Sequence, residues 1–213
     1  MEQKKKIILF DFDGVITDSF SIAFEINKII DPSITTESDF QKLFDGNIND
    51  WAKDSSLGDE EIKRINEEFF AKYIPQMKKV KMIPGMKEVI TKLGKLYTLI
   101  IISSTITSPI RDFLKRNNIL LYFDDIVGSN VIHTNKTKRI KMVFGKYGVG
   151  AKDCVFITDT LGDMREAASV GIQSIGVSWG FQGKENLIKG NPFCIADKPQ
   201  DLLSIVFEYF DKR

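Results

Sequence analysis

Ile7-Ile8-Leu9-Phe10-Asp11-Phe12-Asp13-Gly14-Val15-Ile16-Thr17-Asp18 is the stretch on which the reading of the fold turns. Its first four residues are apolar, with lysines before them and an acidic turn after, the pattern of a short strand buried on both faces. Asp11 and Asp13 therefore stand where that strand ends, and ligands of open α/β sheets bind outside the carboxyl ends of strands. Gly14 can take a positive φ and lead the chain sharply out of the sheet. Asp-x-Asp-Gly alone is also an ordinary turn, so the rest of the chain has to decide between the two.

Beyond this stretch, Ser19 reads as the N-cap of a helix carrying Ile22, Ile26, Ile29 and Ile30 on one face, ended by Asp31-Pro32. A second helical pattern follows Ser38 with Phe40, Leu43 and Phe44, broken at Asp45-Gly46-Asn47. A third opens at Asp59-Glu60-Glu61 and shows Ile62, Ile65, Phe69 and Tyr73. No strand signal occurs from Phe20 to Lys79, so residues 19–79 read as an all-helical insert of about four short helices. Residues 1–18 and 80–213 would form the main domain.

From Met82 onward strands and helices alternate. Pro84 opens a helix with Met86, Val89, Ile90 and Leu93, closed by Gly94; Leu99-Ile100-Ile101-Ile102 is a second buried strand. Ser108-Pro109 starts a helix by N-cap and N1 preference, with Ile110, Phe113 and Leu114 inward. Residues 123–127 give a short strand, and Ile140, Val143, Phe144 and Tyr147 a helical stripe ending at Gly148. Val155-Phe156-Ile157 and Ile175-Gly176-Val177 are further strands, separated by a helix with Met164, Ala167 and Ala168 that Gly171 stops. A last strand at 193–196 and a closing helix at 199–209 complete the series. Such alternation implies right-handed βαβ units and a doubly wound parallel sheet.

Bulk properties narrow the function. The 213 residues are 43% apolar and 28% charged, with a net charge of +1, which gives no reason to expect nucleic acid or an anionic membrane as partner. Lys4-Lys5-Lys6 and Lys78-Lys79 read as solvated faces. With no long apolar leader segment and no apolar run of about 18 residues, a cytoplasmic protein, monomeric or weakly dimeric, is expected. Cys154 and Cys194 are too few and too far apart for a zinc site or a disulfide framework. His133 is the only histidine, which makes a Ser-His-Asp hydrolase improbable.

Polar residues recur just after three of the central strands: Asp11 and Asp13; Ser103, Ser104 and Thr105; Thr158, Asp159, Thr160 and Asp163. Lys136 follows a fourth. In a parallel sheet these converge on one crevice. Carboxylates so crowded repel one another unless a cation joins them, and Mg²⁺ with a few carboxylates and a phosphate is the common solution.

On these motifs the chain resembles the haloacid dehalogenase (HAD) superfamily, in its phosphatase branch with a helical cap. Asp11-Phe12-Asp13-Gly14, Ser103 after its apolar strand, Lys136, and Asp159-Thr160-Leu161-Gly162-Asp163 match the family's four motifs in order. The resemblance covers essentially the whole chain and implies a Rossmann-like core with residues 19–79 as cap. It implies roles as well: Asp11 as nucleophile forming an aspartyl-phosphate, and Asp13 as acid to the leaving alcohol and then base to water. Asp11, the Asp13 main-chain carbonyl and Asp159 would hold Mg²⁺, with Asp163 in support or as a further ligand. Ser103 and the amides of Ser104 and Thr105 would take phosphoryl oxygens, and Lys136 would neutralise developing charge. Lys138 competes for that last place in the basic run Asn135-Lys136-Thr137-Lys138-Arg139. Asp18 reads as a helix-start or hinge acid, and His133 as a loop residue.

Two positions depart from the family pattern: Thr158 stands where glycine is usual, and Thr137 where proline commonly follows the lysine. A Mg²⁺-dependent phosphatase of a small phosphorylated metabolite, similar to phosphoglycolate phosphatases, is the leading expectation. A phosphotransferase resembling β-phosphoglucomutase ranks below it, because Ala23 occupies the position of that mutase's cap-hinge histidine. A dehalogenase is disfavoured by the presence of Asp13, and a non-catalytic binding scaffold by the survival of every motif residue. Lys42, Asn47, Asn49, Trp51 and Lys53 are the candidate cap contacts to substrate, with Trp51 equally suited to the cap's own core.

Overall fold

The computed structural model describes residues 6–46, 58–129 and 135–212. Asn47, Asn49, Trp51, Lys53 and His133, singled out above, lie outside them. Six parallel strands make the central sheet: β1 (Ile7–Phe10), β4 (Thr98–Ile102), β5 (Asp125–Val127), β6 (Cys154–Thr158), β7 (Ser174–Val177) and β8 (Cys194–Ala196). Their spatial order is β5-β4-β1-β6-β7-β8. The chain thus builds outward from β1 on one side, then returns to build outward on the other. The order reverses between β1 and β6, where a crevice opens at the carboxyl edge.

Register lines up the functional ends. Phe10 pairs with Ile101 on one side and with Ile157 on the other. Asp11, Ser103 and Asp159 therefore leave the sheet at nearly one level, because each follows a strand that ends within a residue of that line.

Period-two alternation of the buried strands feeds two cores. Ile8, Phe10, Leu99, Ile101, Val155 and Ile157 face one side. There they meet α4 (Met86–Leu93), α5 (Thr107–Arg116) and α8 (Asp201–Asp211). Ile7, Leu9, Ile100, Ile102, Cys154 and Phe156 face the other, against α6 (Lys136–Tyr147) and α7 (Leu161–Ala168). Residues of β1 are wholly buried, so truncation of any of its isoleucines to alanine costs about 2–5 kcal/mol.

The insert begins with α1 (Phe20–Ile30) and α2 (Glu37–Lys42) and ends with α3 (Asp59–Gln76). Thr36 caps α2 reciprocally with Asp39, a capping box. Just outside these helices, β2 (Thr17–Asp18) pairs antiparallel with β3 (Lys81–Met82), a two-stranded ribbon where the chain leaves the sheet and where it returns. Asp18 lies in this ribbon, opposite Lys81.

Several local expectations need correction. The ribbon is absent from the sequence reading, since two residues are too few to show alternation. Ser19 makes no side-chain cap to α1; its hydroxyl donates to Asp13 Oδ1 at 2.9 Å instead. Ile29 is 65% exposed rather than inward, because α1 buries Ala23, Phe24 and Ile26. Helix α5 starts at Thr107 after Ile106, so Ser108 and Pro109 lie inside its first turn. Among the described residues the last helix of the insert, α3, runs 18 residues and is longer than the short helices expected.

Candidate active site

The site forms where β1, β4 and β6 end. Asp11 continues β1 by one residue, its main-chain N–H donating to Ile157 O at 2.9 Å. Its carboxylate accepts from Phe12 N at 2.7 Å and is buried. Lys136 is the first residue of α6, delivered there by the Asn135 side chain, which accepts from Lys138 N. The ammonium lies 2.7 Å from Asp11 Oδ2 and 2.6 Å from Asp163 Oδ2. Lys138 is exposed on the opposite side of the turn. Thr158 Oγ1 donates to Asp163 Oδ2 at 2.9 Å, so the residue that departs from the family pattern props up an acidic one.

One ammonium serves several carboxylates. Burial opposes the Lys136 charge, yet Asp11 and Asp163 outweigh it and raise its pKa. Burial likewise opposes ionisation of Asp163, but Lys136, with hydrogen bonds from it and from Thr158, holds that carboxyl below its ordinary range. Asp11 is pushed well upward by burial; Lys136 counters this in part, while Asp163 and Asp159 add to it. Asp159 is pushed up to about 7, by burial first and by Asp163 besides, against the pull of the Phe181 N–H.

Asp159 is confined by glycines. Gly14 has φ +75°, and a Cβ there would lie 1.9 Å from Asp159 Oδ2; at Gly180 it would lie 2.2 Å from Asp159 Cβ. The Phe181 N–H donates to Asp159 Oδ2 at 2.7 Å. Asp159 Oδ1 is buried and accepts no hydrogen bond among the described residues. A buried carboxylate oxygen left unsatisfied is costly, and a hard cation beside it would remove the cost. The residues therefore fit Mg²⁺: Asp11, Asp159 and the Asp13 main-chain carbonyl could hold it, with Asp163 behind them. Among the described residues no three carboxylate, imidazole or thiol groups close on one point.

Asp13 sits on the other side of the turn. Its Oδ1 accepts from Ser19 Oγ at 2.9 Å, from the Tyr73 hydroxyl, and from Thr17 Oγ1 at 3.4 Å. Thr105 Oγ1 donates to its Oδ2 at 2.7 Å. After β4, Ser103 is buried and its hydroxyl accepts from Thr105 N at 3.0 Å, while Ser104 is exposed at the rim. Buried Arg139, one turn beyond Lys136, donates to the Ser103 carbonyl and fixes that loop from behind.

The insert closes over this edge. Gln182 accepts from Leu161 N at 2.7 Å and donates to Gln41 O at 2.9 Å and to Asp45 Oδ1 at 2.7 Å. Gly162 N donates to Phe44 O at 2.8 Å, and a Cβ on Gly162 would lie 2.2 Å from Gly46 O. Phe20, Phe40 and Phe44 pack against Phe181. Lys42 is exposed and pairs with Asp39.

All the motif residues named from the sequence thus gather at one edge, with Ser104 outermost. The sequence alone gives Ser19, Tyr73, Arg139, Thr158 and Gln182 no site role. Only Thr158 carried a signal, as a hydroxyl in a glycine position. Tyr73, Arg139 and Gln182 are distant in sequence from what they touch, and Ser19 reads equally well as a helix cap.

Comparison with known proteins bears on this geometry. The haloacid dehalogenase-like hydrolase family model matches residues 8–177. Phosphoglycolate phosphatase of Mannheimia succiniciproducens is 24% identical, over 97% of this chain and 100% of its own. That of Synechococcus elongatus is 22% identical, over 93% and 96%. A haloacid dehalogenase-like family hydrolase of Streptococcus pneumoniae superposes with a TM-score of 0.77 at 24% identity, covering 95% of this chain and 99% of that one.

Proposed function

Because the chain belongs to the haloacid dehalogenase-like hydrolases, we propose that it is a Mg²⁺-dependent phosphatase acting on a small phosphorylated metabolite, in the manner of phosphoglycolate phosphatases. The observation that carries this reading is the Lys136 ammonium held at 2.7 Å from Asp11 and 2.6 Å from Asp163 where the strand order reverses.

In this reading Asp11 attacks phosphorus. A bond forms from its carboxylate oxygen to phosphorus as the bond from phosphorus to the leaving oxygen breaks, and Asp13 gives its proton to that oxygen. Asp13 then takes a proton from water, which attacks the aspartyl-phosphate and frees inorganic phosphate and Asp11. Ser103, with the Ser104 amide and the Thr105 amide once it exchanges its bond to the Ser103 hydroxyl, receives phosphoryl oxygens, and Lys136 stays charged throughout to stabilise the transferring group. Mg²⁺ would offset repulsion between Asp11 and the incoming phosphate.

Residues 19–79 act as a cap over a core made of residues 1–18 and 80–213. The β2–β3 ribbon is its hinge, and the contacts of Gln182 and Gly162 with residues 41–46 are its seat. Ala23, buried among aromatic side chains, offers no acid or base for a mutase-type transfer, which favours water as acceptor.

The test is phosphate release from a panel of phosphoglycolate, sugar phosphates, nucleotides and pyrophosphate, with Mg²⁺ or with chelator. Release that needs both Mg²⁺ and Asp11 supports the reading. Silence across the panel from folded protein removes it.

A further inference from the structure

We infer that Tyr73 is a positioning residue for Asp13: carried in on the insert, its hydroxyl helps hold Asp13 Oδ1 and so turns Oδ2 toward the leaving group. This rests on the phosphatase reading above and deepens it.

The two oxygens of Asp13 are held differently. Oδ1 accepts from Tyr73 and from Ser19 at 2.9 Å, with Thr17 at the outer limit of 3.4 Å. Oδ2 accepts from Thr105 alone among the described residues, at 2.7 Å. Thr105 belongs to the loop after β4 that would receive the phosphoryl group. Donors crowded on one oxygen fix the plane and direction of a carboxyl group, leaving the other oxygen to face the reacting atoms.

Tyr73 itself has little freedom. It is 1% exposed, and its ring stacks on Phe69 with centroids 5.1 Å apart and planes 19° apart. The end of α3 is tied to the core, because Arg116 of α5 donates to Met77 O at 3.1 Å and to Val80 O at 3.3 Å. A buried tyrosine hydroxyl needs a partner, and a main-chain carbonyl is the ordinary one. Tyr209, equally buried, donates to Cys154 O at 2.9 Å in that way. Tyr73 instead meets a carboxylate of the reaction, sixty residues away in sequence. With Ser19 from the start of the insert and Tyr73 from its end, Asp13 is fully oriented only when both ends of the insert are seated.

The experiment compares Tyr73→Phe, which keeps the ring, with wild type on two substrates in Mg²⁺. One is phosphoglycolate, or the best alkyl phosphate found, whose alkoxide must be protonated as it leaves. The other is p-nitrophenyl phosphate, whose phenolate leaves unaided. The expected result is a fall in kcat/KM of about 10- to 100-fold on the alkyl ester, a fraction of what general acid catalysis supplies. On the aryl ester kcat/KM should change by less than about threefold, and KM for the alkyl ester should hold. Asp13→Asn should show the same selectivity, and adding Tyr73→Phe to it should cost nothing further, since both act through one group.

Equal losses on the two esters, additive losses with Asp13→Asn, or a Tyr73→Phe enzyme matching wild type on both would overturn the positioning role while leaving the phosphatase standing. A wild type active on p-nitrophenyl phosphate alone would overturn it too, since no acid step would be left to position. A wild type that hydrolyses neither would remove the phosphatase reading and this role with it.

Discussion

A Cβ added at Gly14 would fall 1.9 Å from Asp159 Oδ2. The turn after β1 therefore lies directly against the Asp159 carboxylate just beyond β6, with no room for a side chain at position 14. The positive φ of +75° at Gly14 adds a second reason for glycine. Gly14→Ala should lower the melting temperature by the equivalent of about 1–3 kcal/mol. It should also abolish the upward shift that Mg²⁺ gives the wild type, because Asp159 must move. An alanine variant with unchanged melting and an intact Mg²⁺ response would remove Asp159 from the ligand set.

Lys136 and Lys138 are two residues apart, yet only Lys136 reaches Asp11. Lys136→Ala should reduce kcat by about 10²–10³, the usual loss for a donor to developing charge. It should also destabilise the metal-free protein by about 3 kcal/mol, since it strands two buried carboxylates. Lys138→Ala should stay within about twofold of wild type, given an exposed side chain. Steady-state kinetics and denaturant melts separate the two. A larger loss at Lys138 would reassign the motif.

Stability of the metal-free protein should fall as pH rises, and Mg²⁺ should oppose that fall. In the fold, Asp159 and Glu166 are both shifted up to about 7, each by burial first and Asp163 second. Unfolded, both titrate near 4. Between about 4 and 7 the native state thus binds more protons, so stability falls as pH rises through that window. Asp163, held low, acts only below it. Lys136, raised, loses its contribution only above the range of free lysine. Metal-free protein should melt higher at about pH 5 than at about pH 8. The Mg²⁺-induced gain should grow over the same interval, because the ion competes with the proton on Asp159. Thermal melts at both pH values, with and without Mg²⁺, measure this; a gain that shrinks with pH would contradict it.

The core was legible because its signals are local. Four apolar residues at Ile7–Phe10, too few for a helix and followed by an acidic turn, suit an inner strand, and the placing of the acids after them follows from that. Two later strands end on polar residues in the same way, and parallel alternation brings them together. The unforeseen parts are those where one residue type serves two purposes. Ser19 suits a helix N-cap and equally a bond to Asp13, and composition does not choose between them. Tyr73 ends an apolar stripe whose ring packs as phenylalanine would, while its hydroxyl meets a group sixty residues back. Gln182 joins Leu161 to residues of the insert, a relation that exists only after the sheet is wound.

Gln182 supplies a test of the cap. The residue is 1% exposed, and its carboxamide makes three hydrogen bonds, two of them to residues 41–45. Gln182→Ala should unseat the insert at a cost of about 1–3 kcal/mol. Hydrogen exchange should then quicken in residues 37–46 while β1 and β6 stay protected, and KM should rise more than kcat falls. Uniform exchange across insert and sheet would mean that the insert does not move as a cap.

The central claim is that the phosphoryl group passes through Asp11. Turnover of p-nitrophenyl phosphate with Mg²⁺, quenched in acid within milliseconds, traps whatever covalent species is present. Borohydride then reduces an aspartyl-phosphate to homoserine, which peptide mass spectrometry locates. The account predicts homoserine at position 11 in wild-type protein and none in Asp11→Asn. Modification at another residue, or full phosphate release by Asp11→Asn, would contradict it.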